Sequence, residues 1–377
     1  MLFLVFSFGI LLLFAIANIY IYKRFILQIH FLKPFKKIFA LLLILLFLGQ
    51  AIFLLFRRDD YLSDFIYGLL ASFYAVSYCL FLIALLADLF KILSSFLQNK
   101  GLFLGINSKY AKTFFDIFFI LLGCFFIQYS INNALGTPSV KEKEIVIPKL
   151  KENLKIILLT DIHLGKNLHE DFLQKLIEKV NAYENVDAVV IVGDLIDTKP
   201  QNLSSYIHKL DEFKSKYGTF YALGNHEYYH DADEVIKFLK TYTKLNILIN
   251  NVKILPSINI AGIADLSSYS FQSHIPDIDA IKNKLDPNLP SILLSHQPKS
   301  VDVLDLSHFD LILSGHTHAG QIFPFAFLVL LQQGYLHGLY KLKTQNQLYV
   351  SSGAGFWGPS FRTLAPSEIV LLNLKGE

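Results

Sequence analysis

Residues 189–197 read Val-Val-Ile-Val-Gly-Asp-Leu-Ile-Asp, and a short β-branched run that stops at Gly-Asp is the pattern of a buried strand presenting one carboxylate, Asp194, at its C-terminal end. Four more apolar runs stop in the same way. Residues 156–160 end at Asp161 and His163, 220–223 at Gly224-Asn225-His226, 292–295 at His296, and 311–314 at Gly315-His316-Thr317-His318. Oxygen and imidazole side chains that all stand at strand ends converge on one edge of a sheet, where α/β folds build their sites. The expectation is a two-metal hydrolytic centre bridged by Asp194.

The stretches between these strands support an α/β domain. Residues 171–183 place Phe172, Leu173, Leu176, Ile177 and Val180 on one helical face, and 233–243 do the same with Val235, Ile236 and Leu239. Later strand-like runs at 252–255, 258–264, 348–351 and 369–374 have no such helices between them, which predicts a second, mostly antiparallel sheet packed on the first.

The composition is divided along the chain. Hydrophobic residues make up 53% of the whole and the mean hydropathy is +0.43, above the range of ordinary soluble domains. Residues 1–22, 38–56 and 65–87 contain no Asp, Glu, Lys or Arg, and each is long enough to cross a hydrocarbon layer of about 30 Å. A fourth run, 113–135, is weaker because Asp116 lies near its start, where its carboxylate is expected to reach the interface. Residues 89–106, with Lys91 and Lys100 among apolar neighbours, suit an interfacial helix pair. The domain plan is therefore 1–135 as an all-α transmembrane region of about four helices, 136–150 as a linker rich in turn formers and charge, and 151–377 as the catalytic domain. The chain is expected in the cell (inner) membrane as a multi-pass protein.

Lys23, Arg24, Lys33, Lys36 and Lys37 crowd the first loop, and Lys91, Lys100, Lys109 and Lys112 the third, against Arg57 and Arg58 in the second. The positive-inside rule then makes the first and third loops cytoplasmic, while the lysines after residue 140 pull the other way and leave the side of the catalytic domain open. A net charge of +3 is too small to make nucleic acid the default partner. The two cysteines, Cys79 and Cys124, both lie in apolar runs, which argues against a disulfide framework and against a thiolate zinc site.

Taken singly, each motif is weak, since a Gly-Asp after a strand is often a turn and a lone His is usually a satisfied structural residue. Five in this order, each closing an apolar strand, are specific. Here the chain resembles the calcineurin-like metallophosphoesterase superfamily, whose pattern is D-x-H, G-D, G-N-H-E/D, H and G-H-x-H. The tail from Val350-Ser-Ser-Gly353-Ala-Gly355 through Pro359, Arg362 and Pro366-x-Glu368 is similar to the membrane-associated bacterial branch. The resemblance implies a four-layer αββα sandwich and two divalent metal ions, for which Mn, Fe, Zn or Mg suit donors without thiolate. It assigns one ion to Asp161, His163, Asp194 and His318, and the other to Asp194, Asn225, His296 and His316. His226 would be the catalytic proton donor, and Glu227 would support the loop or orient an imidazole. Asp197, His169, His230, His274, His308 and His337 are recruited by no motif.

One departure bears on the substrate. Residues 319–340 hold no charged side chain, and 322–331 read Ile-Phe-Pro-Phe-Ala-Phe-Leu-Val-Leu-Leu; in the resembling branch an Arg commonly stands where this chain has Phe323. That stretch is either a membrane-facing lip or a buried core segment. The sequence thus points to a membrane-anchored phosphoesterase or pyrophosphatase acting through a hydroxide between two ions, with membrane lipids and an amphiphilic phosphate as partners. UDP-2,3-diacylglucosamine is one specific substrate implied by the resemblance. A non-catalytic metal-binding membrane protein is the competing class, against which an intact His226 and a ligand shared by two sites argue.

Overall fold

In the computed structural model, which describes residues 2–29, 32–56, 62–100 and 109–376, every run that ends in a ligand-type residue is a strand. In chain order the strands are β1 (Ser139–Val146), β2 (Leu154–Leu159), β3 (Leu164–Gly165), β4 (Ala188–Val192), β5 (Ile196–Asp197), β6 (Thr219–Ala222), β7 (Asn246–Ile247), β8 (Asn251–Ile254), β9 (Asn259–Gly262), β10 (Ser291–Leu294), β11 (Leu311–Ser314), β12 (Gly338–Lys341), β13 (Gln347–Val350) and β14 (Glu368–Lys375). Four long helices precede them: α1 (Leu2–Ile21), α2 (Lys36–Phe56), α3 (Asp64–Asn99) and α4 (Lys109–Leu135). Among the later helices are α5 (Glu170–Asn181), α6 (Asn225–Tyr229), α7 (Ala232–Tyr242) and α8 (Phe325–Gln333). The chain divides into two compact units, Met1–Asn132 with Gly358–Phe361, and Asn133–Trp357 with Arg362–Glu377.

The second unit contains two six-stranded sheets, ordered β1-β14-β2-β4-β6-β7 and β12-β13-β11-β10-β9-β8, and a two-stranded ribbon β3-β5. Period-2 alternation sorts their side chains into layers even though the central strands are apolar throughout. Ile157, Leu159, Val189 and Ile191 pack outward on the helical layer containing Leu173, Leu176, Val235 and Leu239. Their neighbours Ile156, Leu158, Val190 and Val192 pack inward against Ile292, Leu294, Leu311 and Leu313 of the second sheet. Leu293 and Ile312 face the opposite way, onto Ile281, Leu306 and Phe309. The layers are helix, sheet, sheet, helix, as the resemblance implied.

The pairing corrects two expectations. The second sheet is mostly parallel: β9, β10, β11 and β13 run together, and only the edge pairs β12/β13 and β8/β9 are antiparallel. Its crossovers are made by loops and short helical turns and, between β11 and β13, by the largely apolar α8, none of which shows an amphipathic helical period, so the lack of such a period did not signal hairpins. Residues 369–374 also belong to the first sheet, where β14 lies between β1 and β2. The stretch expected as a linker is largely β1, an edge strand paired in parallel with β14 from Ser139↔Glu368 to Val146↔Lys375. Its alternating charges sit on exposed positions of an edge strand, which mimics a linker composition.

In the first unit, α1 to α4 are each long and apolar enough to cross a membrane. Their polar residues close on one another: Asn18 donates to Gln50 at 3.3 Å, Gln50 to Ser77 at 2.8 Å, and Ser77 back to Asn18 at 2.8 Å. Such a satisfied triangle holds three helices in register where unpaired amides would be costly. Residues 89–99 do not form a separate interfacial helix but continue α3 to Asn99, because Lys91 finds Gln28 at 3.2 Å and Asp116 at 3.7 Å. Asp116 is not at an exposed interface either; it is 5% exposed and pairs with Arg24 at 2.9 Å. Arg57, Arg58 and residues 101–106 lie outside the described residues.

Candidate metal centre

The parallel neighbours β2, β4 and β6 in one sheet, and β10 and β11 in the other, bring all five motifs to adjoining strand ends. The ladders run on past the strands: Asp161 N–H donates to Gly193 O at 3.1 Å, His163 N–H to Asp194 O at 3.0 Å, and Gly315 N–H to His296 O at 3.0 Å. Each motif then turns sharply. Asp161, His163, Asp194, His316 and His318 all have φ between 47° and 68°, a left-handed conformation uncommon outside glycine and costing on the order of 1 kcal/mol apiece. The turns aim five side chains across the sheet edge instead of along it. Two glycines make room for them. A Cβ on Gly193 would stand 2.2 Å from His296 Nδ1, and one on Gly315 would stand 2.3 Å from Asp161 Oδ2.

Asp161, His163 and His318 form one cluster, and Asp194, His296 and His316 a second, with one donor atom of each residue within 4.8 Å of the others. Asp194 is central. Its Oδ2 lies 3.2 Å from His296 Nε2, 3.8 Å from His163 Nε2 and 3.9 Å from His226 Nε2, while Oδ1 accepts the His226 N–H at 2.9 Å. Asn225 opens α6 beside it, and Asn225 Oδ1 is buried with no hydrogen-bond partner among the described residues. Two imidazole nitrogens, His163 Nε2 and His318 Nε2, approach to 3.1 Å. Buried acceptors left unpaired and turned on one another are unfavourable without a cation between them, so the residues present fit divalent metal. His296 Nδ1 donates to Val192 O at 2.9 Å, which fixes the ring and leaves Nε2 for an ion.

The electrostatics suit the same purpose. Burial first, then the positive field of neighbouring imidazoles, pushes His163 down to about 4 and His316 to about 3, which holds both rings neutral. Burial would raise Asp194, but the charges of His296 and His226 overcome it and hold this carboxyl well below the ordinary range. Burial and the Asp194 charge, opposed by His296, lift Asp161 to about 6. Glu227 is fully buried and accepts four backbone N–H groups, from Asp194, Leu195, Ile196 and Gly224 at 2.7 to 3.2 Å. It clamps the Gly-Asp loop to the start of α6 and touches no imidazole of the cluster among the described contacts.

Two residues that were assigned no role at the site, Asp197 and, from the tail motif, Arg362, stand beside the cluster. Asp197 lies on β5 and its Oδ1 is 2.7 Å from His226 Nδ1. The available signal was a third acidic position three residues after Asp194, but only the β3-β5 ribbon decides that it points back at His226. Arg362, fully buried, donates from Nη2 to His318 Nδ1 at 2.9 Å and from Nη1 to Ala365 O at 3.1 Å, so it sets the orientation of the His318 ring. By contrast His274 pairs with Asp233 and His337 with Glu368, away from these groups.

A sheet-edge cluster of Asp, Asn and His with a carboxylate-held imidazole at its rim defines a metal-dependent phosphoesterase. The family model for calcineurin-like phosphoesterases matches residues 154–320. An uncharacterized metallophosphoesterase of Campylobacter jejuni is 55% identical over 377 residues, the whole of both chains. One of Helicobacter pylori is 43% identical over 332 residues, 88% of each chain. A transmembrane protein with metallophosphoesterase domain from Danio rerio is 34% identical over 261 residues, 66% of this chain and 60% of that one. The chain belongs to the calcineurin-like metallophosphoesterases and is a hydrolase acting on phosphoesters.

Proposed function

We propose that the chain is a membrane-anchored enzyme that hydrolyses an amphiphilic phosphate ester or pyrophosphate, using two divalent ions. Asp161, His163, Asp194 and His318 would hold one ion, and Asp194, Asn225, His296 and His316 the other. When bound, such a pair supplies Lewis acidity for in-line attack of water at phosphorus. As the phosphorus–oxygen bond to the leaving group breaks, His226 gives that oxygen a proton. Burial would lower the His226 pKa, but Asp194 and Asp197 outweigh it and raise it to about 9, so the ring enters the reaction protonated. Asp197 accepts from Nδ1 and thereby turns Nε2 toward the reacting side.

The observation that carries the amphiphilic substrate is α8. It starts seven positions after His318, yet Phe325, Phe327, Leu328 and Leu331 are 42%, 63%, 60% and 84% exposed, which removes the core reading of this stretch. Asn133 Nδ2 donates to Arg362 O at 3.4 Å, Thr363 N–H to Gln321 O at 2.8 Å, and Phe323 N–H to Thr363 O at 3.3 Å. An apolar helix with its large side chains exposed is suited to lie in the lipid interface. The Tyr229 ring lies tilted 5.1 Å from His226 and 6.0 Å from Phe271, and Tyr229 and Phe271, both half exposed, give the leaving group an aromatic wall.

Replacing Phe325, Phe327 and Leu328 with Ser removes contacts worth roughly 1.5 to 3 kcal/mol per side chain when fully buried in lipid. Turnover of lipid phosphates presented in vesicles should fall about tenfold or more, while a small chromogenic phosphodiester is cleaved at an unchanged rate. Equal loss of both activities would show that the helix does not select lipid. For Asp197→Asn we expect a loss of roughly tenfold in kcat, with the alkaline limb of the pH-rate profile moved to lower pH, because the carboxylate that raises His226 is gone. An unmoved limb would separate Asp197 from the proton donor.

A further inference from the structure

The first unit gathers charge at one place. Arg24 lies in the π-turn Tyr22–Ile26 that follows α1, is 1% exposed, and pairs with Asp88 and, at 2.9 Å, with Asp116. Lys91 reaches Asp116 at 3.7 Å. Two cations against two carboxylates neutralise one another, and a network serving only to join helices would end there, closed on all sides.

It does not end there. Beside the pairs opens a cavity of about 390 Å³, within the range of small-ligand sites, and its lining adds a third cation, Lys112. Lys112 is exposed at the mouth and has no counter-ion among the described residues. Ser95 and Gln98 also line the cavity without a side-chain partner among the described residues. Phe90, Phe115 and Phe119 add an aromatic part to the lining. Surplus positive charge, unused hydroxyl and amide donors and an apolar wall together describe a receptor for one kind of molecule, a phosphate group carried on a hydrocarbon body.

We infer that this cavity is a binding site for the phosphate of an anionic lipid, distinct from the metal cluster. Lys112 takes the charge, Ser95 and Gln98 donate to the phosphoryl oxygens, and the acyl chain lies over Phe90, Phe115 and Phe119. The location along the helices agrees. Arg24 follows the end of α1, Lys91 to Gln98 form the last turns of α3, and Lys112 stands in the first turn of α4, so the site lies where apolar helices end and headgroups are found. The π-turn has a role in this arrangement, since it directs Arg24 inward to hold Asp88 and Asp116, which leaves Lys112 without a carboxylate among the described residues. The inference does not depend on the phosphoesterase reading.

The test uses the full chain, delipidated in neutral detergent, with melting temperature and native mass spectrometry as readouts. Phosphatidylglycerol should raise the melting temperature and be retained as a one-to-one adduct, and phosphatidylcholine should do neither. In Lys112→Gln, whose side chain is exposed and unpaired, the lipid-free melting temperature should be unchanged, while half-saturation by phosphatidylglycerol moves up at least fivefold. Ser95→Phe, which fills the cavity, should remove the adduct. Glycerol 3-phosphate giving the same shift would assign the phosphate chemistry to a soluble source. Equal responses to the two lipids, or phosphatidylglycerol retention unchanged in both variants, would overturn the site.

Discussion

Asp194→Asn is expected to abolish turnover, by on the order of 10³-fold or more, equivalent to about 4 kcal/mol of transition-state stabilisation. The substitution is isosteric at a position 2% exposed, and the Oδ1 contact to the His226 N–H can be kept by the amide oxygen. What disappears is the charge of Oδ2, the atom that faces His296, His163 and His226 together. Because that charge serves both halves of the cluster, metal content measured on the purified variant should fall in step with activity. Two ions retained at a near-normal rate would sink the shared-carboxylate centre.

For His226→Ala the expected loss is roughly 10²-fold or more with metal content intact, since His226 groups with His163 and Asp197, outside the two clusters proposed to hold the ions. The loss should shrink along a series of phosphodiesters with increasingly acidic leaving groups, which depart without a proton. The pH dependence carries the same information. A protonated donor is present below its pKa and lost as pH rises through it, so the wild-type rate on poor leaving groups should fall on an alkaline limb that His226→Ala lacks. Asp194 and Asp197 raise His226 to about 9, and the charge of bound ions lowers it from there, which places the limb below that value. An equal loss across the leaving-group series would assign His226 a different task.

Much of the centre was legible because strand patterns are local. A β-branched run of four or five residues followed by Gly-Asp or Gly-Asn-His announces both the strand and the side chain at its end, so Asp161, Asp194, Asn225, His296 and His318 could be named from short windows. Asp197 could not. It follows the same strand as Asp194 with nothing local to distinguish it from a solvated turn residue, and its partner His226 is 29 positions away. Residues 139–146 show the opposite failure. Their charge and nearby turn formers resemble a linker, because an edge strand needs apolar residues on few of its positions.

The order of elements and the residue types at each strand end are properties of the sequence by itself, as are the four apolar stretches long enough to cross a bilayer. Which strands pair is decided only in the tertiary structure. β14 enters between β1 and β2 from more than two hundred positions away, and the second sheet runs parallel although no helical period marks its crossovers. The same holds for side chains whose surroundings come from distant elements. Residues 322–331 were equally compatible with core and surface until α8 was seen to expose its phenylalanines, and Asp116 was a carboxylate near a helix end until Arg24, ninety-two positions earlier, was seen to hold it. Local pattern reports the chemistry that a segment carries, whereas burial, pairing and charge balance are sums over neighbours brought together by packing, and those sums exist only in the folded chain.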